Sequence, residues 1–281
     1  MHRGKQLHFR GKRNLDALLT ALLTKHGMSS ATEVVISGGS AGALAVYLHA
    51  DAIRSRLPAS AKVVALPDDG FFLDNDDSET NHRTGKRDDG SWAGLQRWAF
   101  EAQNSTAGVP AACLARYPQA EHWRCFFAQY VAPTIETPLF ALQPMYDAYQ
   151  TGAELGWNAK DGPASVNAYG RNLTATLRAA VLGEGRERNG AYLDGCWHHG
   201  GGWPAMQAQA SDGTWASPMD AFGIWYRGLS LSGEPGAAHY WQTPSSGPLP
   251  DGRPASEFPC VACCPCKPNR SSSNFGAGCK G

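Results

Sequence analysis

Ser40 stands between glycines in Gly38-Gly39-Ser40-Ala41-Gly42, directly behind the β-branched run Val34-Val35-Ile36 and ahead of Ala43-Leu44-Ala45-Val46-Tyr47-Leu48. Nucleophilic acyl chemistry asks for this arrangement. The strand-to-helix turn is too tight for side chains two residues either side of the serine, while the serine itself must project above the sheet. Such a serine needs a base to take its proton and an acid to hold that base in one tautomer. In doubly wound hydrolases these follow in the chain order acid, then histidine, from loops at the carboxyl ends of later strands. Asp147 comes soon after the apolar run Pro138-Leu139-Phe140-Ala141-Leu142-Gln143, and the pair His198-His199 soon after Gly190-Ala191-Tyr192-Leu193-Asp194. Asp68, Asp69 and Asp74 compete for the acid, since an aspartate after a strand more often caps a helix or closes a turn. Spacing alone does not choose between His198 and His199.

The elements that must position these groups can be read from periodicity. Leucines at 15, 18, 19, 22 and 23 predict a helix over 14–26, with Gly27 as its stop. A strand over 33–37 follows, then the helix after Ser40 to about Arg56, and a buried strand over 62–66. Residues 74–91 read as an exposed loop, 92–103 as a helix, 138–143 as a strand, 165–182 as a helix and 190–194 as a strand. Beyond Gly200 the chain reads as loop-rich, with one helix or strand near 219–226. This alternation predicts an α/β fold with a doubly wound, mostly parallel sheet. Residues 1–243 are assigned to one domain and 244–281 to a Cys-, Pro- and Gly-rich tail that would be disordered without cross-links.

Composition narrows the partners. Lys+Arg and Asp+Glu are both 25 in 281 residues, and no basic block appears, so neither nucleic acid nor an anionic membrane surface is implied. The longest apolar runs are strand length, well short of the roughly 20 residues of a membrane span. No cofactor or metal is expected, and the chain is expected to act as a monomer. Met1-His2-Arg3-Gly4-Lys5-Gln6 has no apolar stretch of the kind a secretory signal needs. Eight cysteines argue for an oxidising compartment all the same, with support from the sequons at Asn104, Asn172 and Asn269. Cys113 and Cys125 bracket a short polar loop and are the leading disulfide pair. The cluster Cys260, Cys263, Cys264, Cys266 and Cys279 also reads as disulfide-forming rather than zinc-binding.

Five ordered motifs over about residues 7 to 230 resemble the pectin acetylesterase family, to which the Notum carboxylesterases also belong. They are the stretch from Leu7-His8-Phe9-Arg10-Gly11 through the serine turn to Leu48, Asp68-Asp69-Gly70-Phe71-Phe72-Leu73-Asp74, and Cys125-Phe126-Phe127-Ala128-Gln129-Tyr130. Thr137-Pro138-Leu139-Phe140 and Tyr146-Asp147-Ala148-Tyr149-Gln150 complete the set. The resemblance implies an α/β-hydrolase-like fold, Ser40 as nucleophile and Asp147 as the orienting acid. It implies His199 as base, because the family's base stands three residues after a cysteine and Cys196-Trp197-His198-His199 repeats that spacing. His198 becomes a neighbour of the base and a pocket wall. Trp197, Trp203 and Trp225 are candidate platforms for sugar rings.

The resemblance further implies a secreted or cell-wall enzyme that removes acetyl groups from O-acetylated pectin or a related polysaccharide. A Notum-like lipid-ester deacylase and a catalytically impaired binding fragment are the alternatives. Gly39 stands where the family has cysteine, and Ala43 where it has a second glycine after the serine. The family's upstream glycine-rich loop and first strands have no counterpart here. The expectation is therefore a sheet without its N-terminal strands, an oxyanion hole resting on the Ala41 N–H, impaired activity, and a signal peptide lost with the missing N-terminus.

Overall fold

Runs such as Val63-Val64-Ala65-Leu66 and Phe140-Ala141-Leu142 are apolar at consecutive positions, which suits strands covered on both faces. A computed structural model of the chain describes residues 8–74, 92–157, 162–200, 206–229, 239–250 and 252–258. It forms a mostly parallel sheet flanked by helices, consistent with an α/β-hydrolase-like fold. Among the described residues the strands are β1 (Glu33–Gly39), β2 (Lys62–Asp68), β3 (Phe140–Pro144), β4 (Gly190–Asp194), β5 (Ala208–Ala210), β6 (Trp215–Ala216) and β7 (His239–Gln242). Their order across the sheet is β1-β2-β3-β4-β7-β5-β6. β1 through β4 and β7 run parallel, and the short β5 and β6 turn antiparallel at the far end.

The helices are α1 (Gly11–Lys25), α2 (Ala41–Arg54), α3 (Trp92–Ala102), α4 (Ala111–Leu114), α5 (Ala128–Val131), α6 (Pro163–Leu182) and α7 (Pro218–Gly228). Alternate side chains of the central strands divide the core between two faces. Ala141, Ala191 and Leu193 pack with Tyr47 of α2 and Leu173 and Leu177 of α6. Phe140, Leu142 and Tyr192 pack with Ala221 and Trp225 of α7 and with Trp241 of β7. α7 starts where a Ser217 side chain caps the Asp220 N–H and Pro218 occupies the first helical position.

The sequence reading located β1 to β4, α1, α2, α3 and α6 to within a few residues. It missed β5, β6 and β7, whose runs of two to four residues carry little periodicity of their own. β7 is a strand because β4 offers it a parallel partner, Ala191 against Tyr240 and Tyr192 against Trp241. Trp225 is fully buried and donates its indole N–H to the Arg188 carbonyl, so it is a core residue and not a sugar platform. Trp203, the loop over 75–91, Asn269 and the cysteines from Cys260 on lie outside the described residues. Asn104 occupies an exposed turn in the left-handed region (φ 50°), and Asn172 stands within α6.

After β7 the chain packs back onto the domain as far as Phe258. The Phe258 ring meets Tyr146 and Trp157, its amide donates to Asn167, and Glu257 pairs with Arg171. Among the described residues no helix is long and apolar enough to cross a membrane.

Cys113 and Cys125 form a disulfide whose two residues are fully buried, and Cys196 is disulfide-bonded as well. The Cys113–Cys125 bridge joins residues 12 apart, a span for which cross-linking restricts the unfolded chain by about 2–4 kcal/mol. The Cys113→Ala/Cys125→Ala variant is expected to lose stability of that order, seen as a lower urea midpoint. A midpoint equal to that of the parent chain would show the bridge to be dispensable.

Candidate active site

The turn at Ser40 holds the serine in a conformation that side chains other than glycine seldom adopt, φ 56° and ψ −122°. Such a residue costs on the order of 1–3 kcal/mol and persists only where its surroundings fix it. Here they do. The Ser40 N–H donates to the Asp68 carbonyl (2.8 Å), and the Ser40 carbonyl receives Ala43 N–H (2.9 Å) and Leu44 N–H (3.1 Å). A Cβ on Gly38 would lie 2.6 Å from the Gly42 carbonyl carbon, and one on Gly70 would lie 2.3 Å from the Ala43 Cβ. The two glycines therefore let β1, α2 and the end of β2 close around the serine. Ala41 is the first residue of α2 and is exposed, and the opening amides of a helix have no carbonyl partner within it. That N–H, with the helix dipole behind it, can receive developing negative charge near Ser40.

Asp147 lies just past the end of β3 and is completely buried. Its Oδ1 accepts the amides of Tyr149 and Gln150 (both 2.9 Å), and its Oδ2 accepts the Gln143 side-chain N–H (3.2 Å). His199 Nδ1 stands 2.9 Å from Asp147 Oδ2, and His199 Nε2 stands 2.7 Å from Ser40 Oγ. A ring that gives its Nδ1 proton to the carboxylate leaves the Nε2 lone pair free to accept the serine proton. Four donors thus converge on the buried carboxylate, which offsets the cost of removing it from water. Residues from three strand ends and from positions 159 apart in sequence meet in one hydrogen-bonded chain. Its geometry is the one general-base activation of a serine requires.

The rival aspartates have other partners. The Asp68 carbonyl anchors Ser40, and the Asp74 carboxylate accepts the Tyr130 hydroxyl (2.7 Å). Asp69 is buried at φ 55° and accepts the Gly200 N–H. Burial first, and then the neighbouring Asp68, Asp147 and Asp194, raise the Asp69 carboxyl well above the usual range against the opposing pull of His198. His198 is buried, with Nε2 between the two oxygens of Asp194 (3.0 and 3.2 Å) and Nδ1 3.9 Å from Asp69 Oδ2. Burial alone would lower its pKa, but Asp194, Asp69 and Asp147 push it up to about 9. Trp197 is half-buried, donates its indole N–H to Thr151 (3.0 Å) and meets the Trp157 ring.

Sequence reasoning missed two sets of residues. Gln143 and Gln150 bind the amides of Phe71 (2.9 Å) and Leu73 (3.0 Å) and so tie the segment after β2 to the Asp147 loop. A glutamine closing the apolar run of β3 is the signal that could have found Gln143, since a buried amide must be satisfied. Tyr149 and Phe72 flank His199, with ring centroids 5.3 and 6.3 Å from its own, and Trp92 packs against both.

A family model described as pectinacetylesterase matches residues 1–221. Pectin acetylesterase 11 of Arabidopsis thaliana is 33% identical over 212 residues, which cover 69% of this chain and 50% of that protein. Pectin acetylesterase 7 of the same plant is 35% identical over 160 residues, 56% of this chain and 37% of the relative. The palmitoleoyl-protein carboxylesterase NOTUM of Mus musculus is 28% identical over 183 residues, 60% of this chain and 35% of the relative. The matches thus span half the length of these relatives or less.

Backbone contact at Gly38 leaves no room for a methyl group. Gly38→Ala is expected to cost about 1–3 kcal/mol, as overpacking does, and to move Ser40 off His199 Nε2. A thermal midpoint equal to the parent's would contradict the close approach of β1 and α2.

Proposed function

The chain belongs to the pectinacetylesterase family, and from that premise we propose that it hydrolyses carboxylic esters with Ser40 as nucleophile, His199 as general base and Asp147 as orienting acid. The hydrogen-bonded chain from Ser40 Oγ through His199 to Asp147 carries the reading. In the acylation step His199 Nε2 removes the Ser40 proton as Oγ adds to the ester carbonyl carbon. The carbonyl electron pair moves onto oxygen, where the Ala41 N–H stabilises it. Collapse of the tetrahedral intermediate breaks the bond to the alkoxy oxygen, and the imidazolium returns its proton to that leaving group. Water, deprotonated by the same nitrogen, then releases the acid and restores Ser40. Asp147 keeps its place throughout, holding the ring in the required tautomer.

The proposed substrate is an acetyl ester on a pectic polysaccharide or a related sugar polymer, a choice that follows the family and its pectin acetylesterase members. The wall of Phe72, Trp92 and Tyr149 beside His199 supports it, because Tyr149 is 39% exposed and offers a ring face next to the reacting atoms. The same apolar wall suits an acyl chain, so a lipid-ester deacylase is the second reading. A secreted or cell-wall setting belongs to the proposal and draws support from the Cys113–Cys125 disulfide.

Ser40→Ala is expected to lower turnover of p-nitrophenyl acetate by at least about 10³-fold and to abolish labelling by a fluorophosphonate probe. Undiminished hydrolysis by that variant would rule Ser40 out. Tyr149→Ala keeps the amide that binds Asp147, and is expected to raise KM for an acetylated pectic oligosaccharide about 2- to 10-fold with little change for p-nitrophenyl acetate. Faster cleavage of p-nitrophenyl octanoate than of the acetate would favour the lipid-ester reading instead.

A further inference from the structure

The chain places two histidines side by side, and the proposed mechanism uses one. We propose that His198 is a positioning residue for His199: held between the Asp194 and Asp69 carboxylates, it fixes the loop that carries the base. This inference rests on the triad reading and deepens it.

Beyond the bonds of its own ring to Asp147 and Ser40, His199 is anchored through its two neighbours. Asp194, the last residue of β4, accepts the Cys196 amide (2.9 Å) and the His198 Nε2–H (3.0 Å), closing a tight loop over 194–198. The His198 carbonyl accepts the Ala148 N–H (2.9 Å), one residue beyond Asp147. On the other side of His199, the Gly200 N–H donates to Asp69 at the end of β2. The base is therefore suspended between anchors on three neighbouring strand ends, and His198 supplies two of them.

A buried histidine that served packing alone would need one polar partner and a close-fitting wall. His198 has a different environment. Two buried carboxylates face its two nitrogens, and its Nδ1 makes no hydrogen bond, lying 3.9 Å from Asp69 Oδ2. A water-sized cavity lined by Asp69, Gln143, Tyr192, Asp194 and His198 adjoins the ring, so attraction holds it as well as packing. The groups acting on the ring are Asp194 on β4, Asp69 after β2 and Asp147 after β3, and they favour its charged form against the opposing effect of burial. A neutral replacement would leave Asp194 without its counter-charge and free the loop to shift. Reactions between held groups lose on the order of 10²-fold for a displacement of about 1 Å.

The test is His198→Gln, which retains an N–H donor for Asp194 and removes the charge. The whole chain is assayed with p-nitrophenyl acetate, and the downfield proton resonance of the His199 Nδ1–H is followed by NMR. The expected result is a chain that still folds, with kcat reduced roughly 10- to 100-fold, KM within about two-fold of the parent, and the resonance shifted or broadened. Parental kcat together with an unchanged resonance would overturn the inference. If His198→Gln does not fold, Asp194→Asn, which keeps an acceptor for the ring and weakens the charge pair, is put through the same two measurements with the same criteria. The two levels of the argument fail separately. Absence of fluorophosphonate labelling in the parent chain defeats the triad reading, whereas the His199 resonance still decides whether His198 positions that ring: its retention in the variant counts against, its loss in favour.

Discussion

A carboxylate removed entirely from water must find donors for its lone pairs, and the Asp147 side chain imposes that demand on the centre of this molecule. Two donors come from the turn that Asp147 itself begins, one from Gln143 on β3, and one from His199 beyond β4. Each recruits further structure. Gln143 can reach Asp147 with its amide nitrogen only because its oxygen is occupied by Phe71 N–H, which draws in the segment after β2. That segment brings Gly70 against Ala43 and Ser40, and so connects the carboxylate to the serine turn by a second route besides His199. Removing any one donor would leave a lone pair of a buried carboxylate oxygen unsatisfied, an imbalance of about 1–3 kcal/mol.

The elements nearest the serine were legible in the sequence because they obey local rules. β1 and α2 announce themselves by a β-branched run, a Gly-x-Ser-x-Gly turn and an uninterrupted helix, and Asp147 and His199 follow the expected strands in the expected order. What stayed hidden was set by tertiary context. β7 is four residues long, and pairing with β4 is what makes it a strand. The aspartates after β2 could not be ranked by spacing, since Asp69 and Asp147 both follow strands. Their separation comes from where the two strand ends lie in the sheet. The burial of His198 stayed hidden for the same reason, because sequence adjacency to His199 gives no indication of where the neighbouring ring turns.

Strain at the serine and burial at the aspartate are complementary constraints. Ser40 adopts its φ of 56° because the backbone of Gly38 approaches that of Gly42 and because the Asp68 carbonyl captures its amide. These bonds restrain the direction of Oγ before any substrate arrives. With Ser40 as the proposed nucleophile, fixing it in this way would contribute to rate by avoiding reorganisation at the moment of reaction, a contribution that a flexible serine on a surface loop would forgo.

Three aspartates close three adjacent parallel strands: Asp69 after β2, Asp147 after β3 and Asp194 at the end of β4. Left alone, three such carboxylates would repel one another in a poorly solvated space. Two consecutive histidines divide them. His199 turns to the middle carboxylate and reaches through to the serine, while His198 turns to the outer two, which favour its charged form. The division follows from covalent geometry as much as from electrostatics, since neighbouring side chains on one backbone can face opposite directions while sharing its anchors. On the proposed reading, one imidazole is left to exchange protons with the serine, while the adjacent one fixes the loop that carries it.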